Sequence, residues 1–365
     1  MLEPLACSDC FRDRGLRLEA LRVGEELETP CPVCGSPTGK KLDAPRLEHV
    51  AHSFFVRGTI QRTAYGAAPR VQYNSRRETE IATPPWLTAD LQLIGAKLGV
   101  GFFYYGPRLW MIGGVEPLEA LQQPDSRSAI ISRILAEYPT YTLGTGESVY
   151  RLRINPTHPA ENAEYDSPPP DIGGGGRLDG PDLPILYASP DLQVCVHECR
   201  ASAEDEMFVA TLEPSKPLAL VDLTEVLLEK DATEFESLDL AVHMLFLAGP
   251  HSYDITRQIA LAARAVGYDG LLYPSYFSLL RTGAIPLETS YGISHRRVAR
   301  LAEYEKAKLV PNVGIFGRPV AEGRLLVRCL NRVTIRRAEY DLSFGPVSVD
   351  DRPSFDLDSF TEDPA

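Results

Sequence analysis

Four cysteines near the N-terminus constrain the fold of this chain more tightly than any other feature. They form two C-x2-C pairs, Cys7 with Cys10 and Cys31 with Cys34, separated by twenty residues. Thiolates at this spacing are typical of closed, tetrahedral structural zinc sites. Because four protein thiolates leave no open position for water, we expect Zn²⁺ to hold the fold here and to take no part in catalysis. The alternative is a set of free or redox-active cysteines.

The composition is that of a globular protein with an acidic balance. The chain has 365 residues and a net charge of -13 at pH 7, a length that allows two or three domains. Tight non-specific binding to nucleic acid needs a surplus of Lys and Arg, so this charge argues against a nucleic-acid partner. No apolar stretch reaches the roughly 18 residues of a membrane span, and the N-terminus lacks the regions of a secretory signal. We therefore expect a cytoplasmic protein with no membrane partner.

Apolar periodicity divides the chain into four predicted segments. Residues 1–45 form a small zinc knuckle, and residues 46–144 form a mostly helical region. Residues 145–347 contain short alternating strands such as VYRLRI, ILYAS and LALVDL, with helices between them, which predicts an α+β domain. One of these helices contains VCVHE and is predicted to be capped by Ser189 and Pro190. The acidic segment 348–365 is predicted to be disordered.

An ordered series of motifs marks the C-terminal half. Along the chain they read VYRLR, GGGGRLDGPDLPILYAS, VCVHE, SYDITRQIALAARAVGYDGLLYPS and NVGIFGRPV. This order resembles the RES domain family, named for an arginine, a glutamate and a serine, and the resemblance covers residues 147–347. The zinc-and-helix region also resembles the extension that precedes some RES domains.

This resemblance implies a fold, an activity and a partner. RES domains have an ADP-ribosyltransferase-like fold, in which a split β-sheet clasps NAD, and known members degrade NAD by hydrolysis or phosphorolysis. We therefore expect NAD as the substrate and inorganic phosphate as the co-substrate of an NAD phosphorylase. Enzymes of this kind resemble toxins that an antitoxin silences, so a neutralising protein partner is expected as well.

Matching the motifs one by one assigns the site residues that the resemblance implies. The catalytic set is Arg151 in YRLR, Glu198 in VCVHE and Ser275 after GLLYP. The set that binds NAD is Arg153, Arg177, Tyr187 and Asn312.

The chain departs from the family pattern in two places. Leu178 and Asp179 stand where an aromatic residue and an asparagine are more usual, which leaves the contacts of that loop open. Residues 283–311 lengthen the link between Ser275 and Asn312, and a helix is predicted within 293–310. This added segment could form a lid or an interaction surface.

The assigned residue types suit cleavage of the nicotinamide–ribose bond. The reaction passes through an oxocarbenium-like state, so a carboxylate such as Glu198 can stabilise the developing positive charge. Arginines such as Arg151 and Arg177 can bind a pyrophosphate in a bidentate way. Tyr187 can stack on nicotinamide, and Ser275 can hydrogen-bond the amide or a phosphate. We do not expect Ser275 to be a covalent nucleophile, because no Gly-x-Ser-x-Gly elbow surrounds it.

Other interpretations of these residues stay open. Glu198 is surrounded in sequence by apolar residues and cysteines, which predicts burial, but an ordinary exposed helix glutamate would also fit. The glycines before Arg177 can be a flexible loop and nothing more. Three alternative functions follow from the same fold: hydrolysis of NAD, transfer of ADP-ribose to a macromolecule, and nucleotide binding by a non-catalytic zinc-ribbon adaptor.

Overall fold

The computed structural model describes residues 3–169 and 175–349, and the chain forms two compact units. Unit 1 comprises residues 1–61, 68–107 and 339–365, and unit 2 comprises residues 62–67 and 108–338. These boundaries differ from those of the four predicted segments, because residues 108–144 cluster with unit 2 and the described residues 339–349 cluster with unit 1. The predicted disorder of 348–365 concerns residues that, except Ser348 and Val349, lie outside the described part.

Unit 1 is a helical unit with short strands. Its elements are β1 (Ala6–Cys7), α1 (Arg14–Val23), β2 (Lys41–Leu42), α2 (Ala44–Ala51), β3 (Ile60–Arg62) and β4 (Ala67–Pro69), where the chain leaves and re-enters the unit, β5 (Val71–Asn74), α3 (Pro85–Leu98) and β6 (Gly101–Tyr104). Asp13 and Asp43 cap α1 and α2, since their carboxylates accept backbone N–H groups of the first helical turn. Fully buried Leu47, Phe55 and Phe102 belong to the apolar core of the unit.

The C-terminal segment completes this core. Val349 is 4% exposed and packs with the core residues of the helices. A methyl group added at Gly15 would lie 2.6 Å from Cβ of Phe344, and one added at Gly58 would lie 2.5 Å from Cα of Gly345. Glycine is therefore needed at both positions because another part of the backbone or a side chain approaches too closely for a Cβ atom.

Unit 2 contains the two main sheets. Its elements are α4 (Glu116–Gln122), α5 (Pro124–Glu137), β7 (Thr140–Leu143), β8 (Val149–Ile154), β9 (Ile185–Ala188), α6 (Leu192–Glu198), β10 (Met207–Pro214), β11 (Leu218–Asp222), α7 (Leu238–Leu247), α8 (Tyr253–Ala265), β12 (Gly270–Pro274), α9 (Ser278–Thr282), β13 (Thr289–Ser290), β14 (Ile293–Ser294), α10 (Ala302–Ala307), β15 (Pro311–Phe316) and β16 (Leu325–Val333). Across the described residues, no helix has both the length and the apolar character that crossing a bilayer requires.

The sheet of unit 2 is split. Strands β16, β10 and β8 form an antiparallel sheet of three strands. The second sheet has the order β7-β11-β12-β15-β9, in which β11 and β12 are parallel and the other neighbours are antiparallel. The sheets meet where Tyr150 and Ser189 exchange backbone hydrogen bonds of 2.8 and 3.0 Å. The predicted α+β class with a split β-sheet is confirmed.

Helix α6 begins later than its sequence suggested. The carboxylate of Asp191 accepts the backbone N–H groups of Gln193 and Val194 at 2.8 and 3.0 Å, so Asp191 is the N-cap. Ser189 is not available for this role, because its backbone joins the two sheets and its hydroxyl donates to the carbonyl of Pro311 at 2.7 Å.

The predicted helix within residues 293–310 is mostly wrong. Only Ala302–Ala307 is α-helical, and the rest contains β14 and the two 3-10 turns His295–Arg297 and Ala299–Leu301. Arg296 explains the interruption, because its guanidinium turns inward and forms a buried ion pair with Asp239, with N–O distances of 2.7 and 2.8 Å. The helix prediction treated Arg296 as a solvent-exposed charge. Because Arg296 is buried, the predicted regular helix does not form at this residue.

Candidate active site

A cavity of about 520 Å³ lies where the split sheet of unit 2 brings β8, β9, α6, β12 and β15 together. This volume is within the roughly 300–1,000 Å³ of ligand pockets. Six of the seven residues that the motif order assigned line the cavity: Arg151, Arg153, Arg177, Tyr187, Glu198 and Asn312. Ser275 is fully buried behind its wall.

The carboxylate of Glu198 is held by two side chains from distant parts of the chain. Its Oε1 atom accepts a hydrogen bond from the hydroxyl of Ser275 at 2.6 Å and from the amide of Asn312 at 2.5 Å. Ser275 directly follows β12, and Asn312 lies on β15, opposite Tyr273 of β12. Among the described residues, no hydrogen bond involves Oε2, so one carboxylate oxygen is fixed while the other can contact a ligand.

Glu198 is more exposed than its apolar sequence neighbours predicted. The residue is exposed, because it is the last residue of α6 and borders the open cavity. The residues expected to surround it, Val194 and Cys195, are themselves buried, but they leave the carboxylate of Glu198 open to the cavity. The ordered position of this carboxylate therefore comes from its hydrogen bonds to Ser275 and Asn312 and not from burial.

Arg151 and Arg153 lie two residues apart on β8 and bind backbone carbonyl groups. Arg151 donates to the carbonyls of Tyr187 at 2.7 Å and Asp166 at 3.1 Å. Arg153 donates to the carbonyls of Glu164 and Asp166, both at 3.0 Å. Residues two apart on a strand have their side chains on the same face, which is consistent with this shared use of Asp166.

Arg177 enters the cavity from the loop before β9. Its guanidinium donates to the carbonyl of Ala248 at 2.8 Å and, more weakly, to that of Leu245 at 3.4 Å. The same group lies 4.8 Å from the ring centre of Tyr253, within the range of a cation–π contact. These contacts hold the guanidinium in one orientation at the cavity wall.

The three arginines make this wall strongly cationic. Within the described residues, no carboxylate oxygen comes within 4.0 Å of the guanidinium nitrogens of Arg151, Arg153 or Arg177. Burial lowers the pKa of Arg151 to about 9, and the charge of Arg153 acts in the same direction. The Nε atom of Arg151 is also buried without a hydrogen-bond partner. The charges of Asp166 and Glu164 act on Arg151 and Arg153 only at longer range. Buried cations without a directly paired carboxylate are unfavourable, so the cavity is suited to an anion.

Tyr187 fixes the loop that carries Arg177. Its hydroxyl accepts the backbone N–H groups of Leu178 at 2.7 Å and Asp179 at 3.0 Å, and it donates to the Asp179 carboxylate at 2.7 Å. Burial raises the pKa of Tyr187 well above its ordinary value, so the hydroxyl keeps its proton. A methyl group on Gly176 would lie 2.1 Å from Asp179, which explains a glycine here, while residues 173–174 of the glycine run lie outside the described part.

The structure adds aromatic and cationic residues that sequence reasoning missed. Tyr253, Tyr273 and Phe277 line the cavity. Arg257, one helical turn after Tyr253 on α8, donates to the carbonyl of Gly176 at 2.9 Å. The i, i+4 spacing of Tyr253 and Arg257 was the signal that could have found this pair.

Cys195 and Arg200 also line the cavity, with different chemistry. Burial raises the pKa of Cys195 to about 12, and its thiol lies 3.2 Å from the carbonyl of Tyr150. It is therefore a packed thiol and not a nucleophile. Arg200 is exposed and has φ of +51°, which is uncommon for a residue with a Cβ atom, and no sequence pattern indicated it.

The four N-terminal cysteines meet in unit 1. Their Sγ atoms all lie within 4.8 Å of one another, with 3.5 Å between Cys7 and Cys34, 3.5 Å between Cys10 and Cys31, and 3.8 Å between Cys7 and Cys10. Zn–S bonds of about 2.3 Å in a tetrahedron place sulfur atoms about 3.8 Å apart. The donor set and its spacing therefore fit a Zn²⁺ ion.

A second cluster of metal-ligand residues has a different character. Glu288, His295 and Glu305 lie close together in unit 2. The ammonium group of Lys308 donates to Glu288 at 2.6 Å and to Glu305 at 2.5 Å. A protein cation thus already neutralises these carboxylates, and the cluster is an ion-pair network.

A family model matches the part of the chain that contains most of the motifs. Residues 148–300 match the family model described as the RES domain. A solved structure described as the M. tuberculosis MbcT–MbcA toxin–antitoxin complex is 16% identical, with 56% of this chain and 91% of that chain covered and a TM-score of 0.33. No curated protein matches the chain. Residues 148–300 are therefore similar to the RES domain, as the motifs indicated, and the matched range includes every residue assigned to the site except Asn312.

Proposed function

We propose that this protein cleaves the nicotinamide–ribose bond of NAD and transfers the ADP-ribose group to inorganic phosphate. The RES domain match supports an NAD-processing enzyme. One observation on this chain supports the proposal most directly. The carboxylate of Glu198, which is fixed at one oxygen, borders the same cavity as three guanidinium groups that have no carboxylate partner.

The arginines account for binding. The pyrophosphate of NAD carries two negative charges, which would offset the cost of desolvating Arg151, Arg153 and Arg177. Because backbone carbonyls already orient these guanidinium groups, little side-chain freedom is lost when the ligand binds. The pyrophosphate would then place the nicotinamide ribose within the cavity that Glu198 borders.

Glu198 accounts for bond cleavage. As the glycosidic bond breaks, its electron pair moves to the nicotinamide nitrogen, which becomes neutral, and positive charge develops on the ribose. A carboxylate beside the ribose stabilises that charge. A phosphate oxygen then forms the new bond to the ribose carbon, which gives nicotinamide and ADP-ribose phosphate. The cationic wall favours phosphate over water as the acceptor, because it attracts an anion.

Three further expectations stay predictions that rest on the resemblance or on composition. They are a toxin-like role, a neutralising protein partner and a cytoplasmic location. Hydrolysis of NAD and transfer to a macromolecule are outcomes that product analysis separates from phosphorolysis.

We also propose that Cys7, Cys10, Cys31 and Cys34 bind one structural Zn²⁺ ion. The spacing of their sulfur atoms supports this proposal. When bound, the ion would cross-link the two C-x2-C turns and contribute to the folding free energy of unit 1.

The first prediction concerns turnover. Purified protein incubated with NAD and inorganic phosphate should give nicotinamide and ADP-ribose phosphate, identified by mass spectrometry. Glu198→Gln should lower kcat by about a hundredfold or more, because the neutral amide cannot stabilise a positive charge. The control is Glu204→Gln, an exposed glutamate in the loop after α6, which should leave kcat unchanged.

Each other product pattern has a distinct meaning. Free ADP-ribose, formed equally with and without phosphate, would identify a hydrolase. Label transferred from NAD to a protein or nucleic acid would identify a transferase. Intact NAD after prolonged incubation of folded protein would contradict the proposed function.

The second prediction concerns the pH profile. Asn312→Asp puts a second carboxylate against Oε1 of Glu198, where an amide donates at 2.5 Å in the native protein. Like charges at this distance disfavour the ionised form of Glu198, so the acid limb of the kcat/KM profile should move to higher pH. Asn331→Asp, on the exposed side of β16, should leave the profile unchanged. Identical profiles for both variants would show that Asn312 does not position the carboxylate.

The third prediction concerns the metal. Wild-type protein should contain one zinc ion per chain by elemental analysis, and Cys31→Ser should lose the ion and unfold at a lower temperature. Cys329→Ser, which removes an exposed cysteine on β16, should keep both the zinc and the wild-type Tm. Retention of zinc by Cys31→Ser would rule out the four-cysteine site.

A further inference from the structure

A second cavity of about 290 Å³ lies beside the first within unit 2. Gly249 and Tyr276 belong to the walls of both cavities. One side of the second cavity is formed by residues 62–67, which belong to unit 2 although they lie far outside the RES domain match. A segment from the N-terminal part of the chain therefore lines a space that adjoins the candidate active site.

The wall of this second cavity is mainly apolar and aromatic. Met244 and Leu287 are buried in it, and Leu279 is half-buried. The ring of Tyr65 meets the imidazole of His251 nearly at a right angle, with ring centres 4.8 Å apart. Flat heteroaromatic groups pack well on such rings, and nucleobases do so whatever their sequence. The cavity is thus suited to a nucleobase and too small for a complete dinucleotide.

A cationic side chain lies at the boundary between the cavities. Arg62 lines the second cavity, and its guanidinium donates to the hydroxyl of Tyr276 at 3.2 Å. Tyr276 is 39% exposed and forms part of the shared wall. A guanidinium in this position can bind a phosphate oxygen of a ligand that runs from one cavity into the other.

The segment that carries Arg62 and Tyr65 is well fixed. The N–H of Thr63 donates to the carbonyl of Gly66 at 2.9 Å, and the N–H of Gly66 donates to the Thr63 hydroxyl at 3.1 Å. A methyl group on Gly66 would lie 2.0 Å from the carbonyl oxygen of Met111, so this loop packs directly on the backbone of unit 2. Tyr65 is therefore held in place before any ligand binds, which lowers the entropic cost of binding.

We propose that the second cavity binds the adenine ring of NAD, with Tyr65 and His251 beside the base and Arg62 beside the adenosine phosphate. This inference rests on the proposed function, which places the nicotinamide ribose near Glu198. NAD has two bases joined through a pyrophosphate, so two adjoining spaces with positive charge between them suit its shape and charge. The two cavities, with arginines in the first and Arg62 at their boundary, provide that arrangement.

The test compares Tyr65→Ala with Tyr65→Phe on two substrates. Nicotinamide mononucleotide keeps the scissile bond but lacks the adenosine half of NAD. Tyr65→Ala should raise KM for NAD about tenfold, in keeping with the loss of one base–aromatic contact, while kcat stays unchanged. The same variant should leave kcat/KM for nicotinamide mononucleotide unchanged. Tyr65→Phe keeps the ring and should match the wild type with both substrates and in Tm. Tyr65→Ala loses the ring contact with His251, so its Tm should be lower, but it should stay folded under the assay conditions.

Calorimetry with adenosine monophosphate separates this inference from the proposed function. The nucleotide should bind the wild type and Tyr65→Phe, and bind Tyr65→Ala about tenfold more weakly. If the protein leaves NAD intact but shows this dependence on Tyr65, the proposed function fails and the adenine site is supported. If NAD is cleaved but Tyr65→Ala affects neither KM for NAD nor the affinity for adenosine monophosphate, the adenine site is overturned.

Discussion

The hydrogen bonds that Ser275 and Asn312 donate to one oxygen of Glu198 depend on three elements at once, α6, β12 and β15. Strands β12 and β15 are neighbours in the five-stranded sheet, where buried Leu272, Val313 and Ile315 secure their register. A slip of one residue would turn Asn312 to the opposite face of the sheet. The position of the carboxylate is thus a consequence of sheet packing, which explains how an exposed residue at a helix end can be precisely placed.

The second constraint is electrostatic. This protein carries a net charge of -13, yet the guanidinium groups of Arg151, Arg153 and Arg177 line one cavity with no carboxylate partner among the described residues. Their hydrogen bonds go to carbonyl groups, which orient a cation but do not neutralise it. In the proposed function an anionic ligand would supply the missing charge, so that its binding would also stabilise the cavity electrostatically. The adjoining apolar cavity with Tyr65 is where we propose that the adenine base of the same ligand binds.

Sequence patterns predicted what depends on local periodicity or on fixed spacing. The strands with Arg151 and Tyr187, the α+β class and the cysteine spacing follow from short segments of chain. The burial of Arg296 and the short helix within 293–310 could not be predicted from local segments, because Arg296 pairs with Asp239, a residue remote in sequence. The position of Tyr65 beside a cavity could not be predicted either. That cavity is formed together with residues 244–287, and no local pattern links the two segments.

We propose that NAD binds with its pyrophosphate on the cationic wall and its nicotinamide ribose beside position 198. A crystal structure of the slowly reacting Glu198→Gln variant with NAD tests it most directly. We expect pyrophosphate oxygens within hydrogen-bond distance of the guanidinium groups of Arg151 and Arg177, with the nicotinamide ribose in contact with the side chain at position 198. NAD bound elsewhere, or bound in the cavity with its pyrophosphate away from both arginines, would contradict the account.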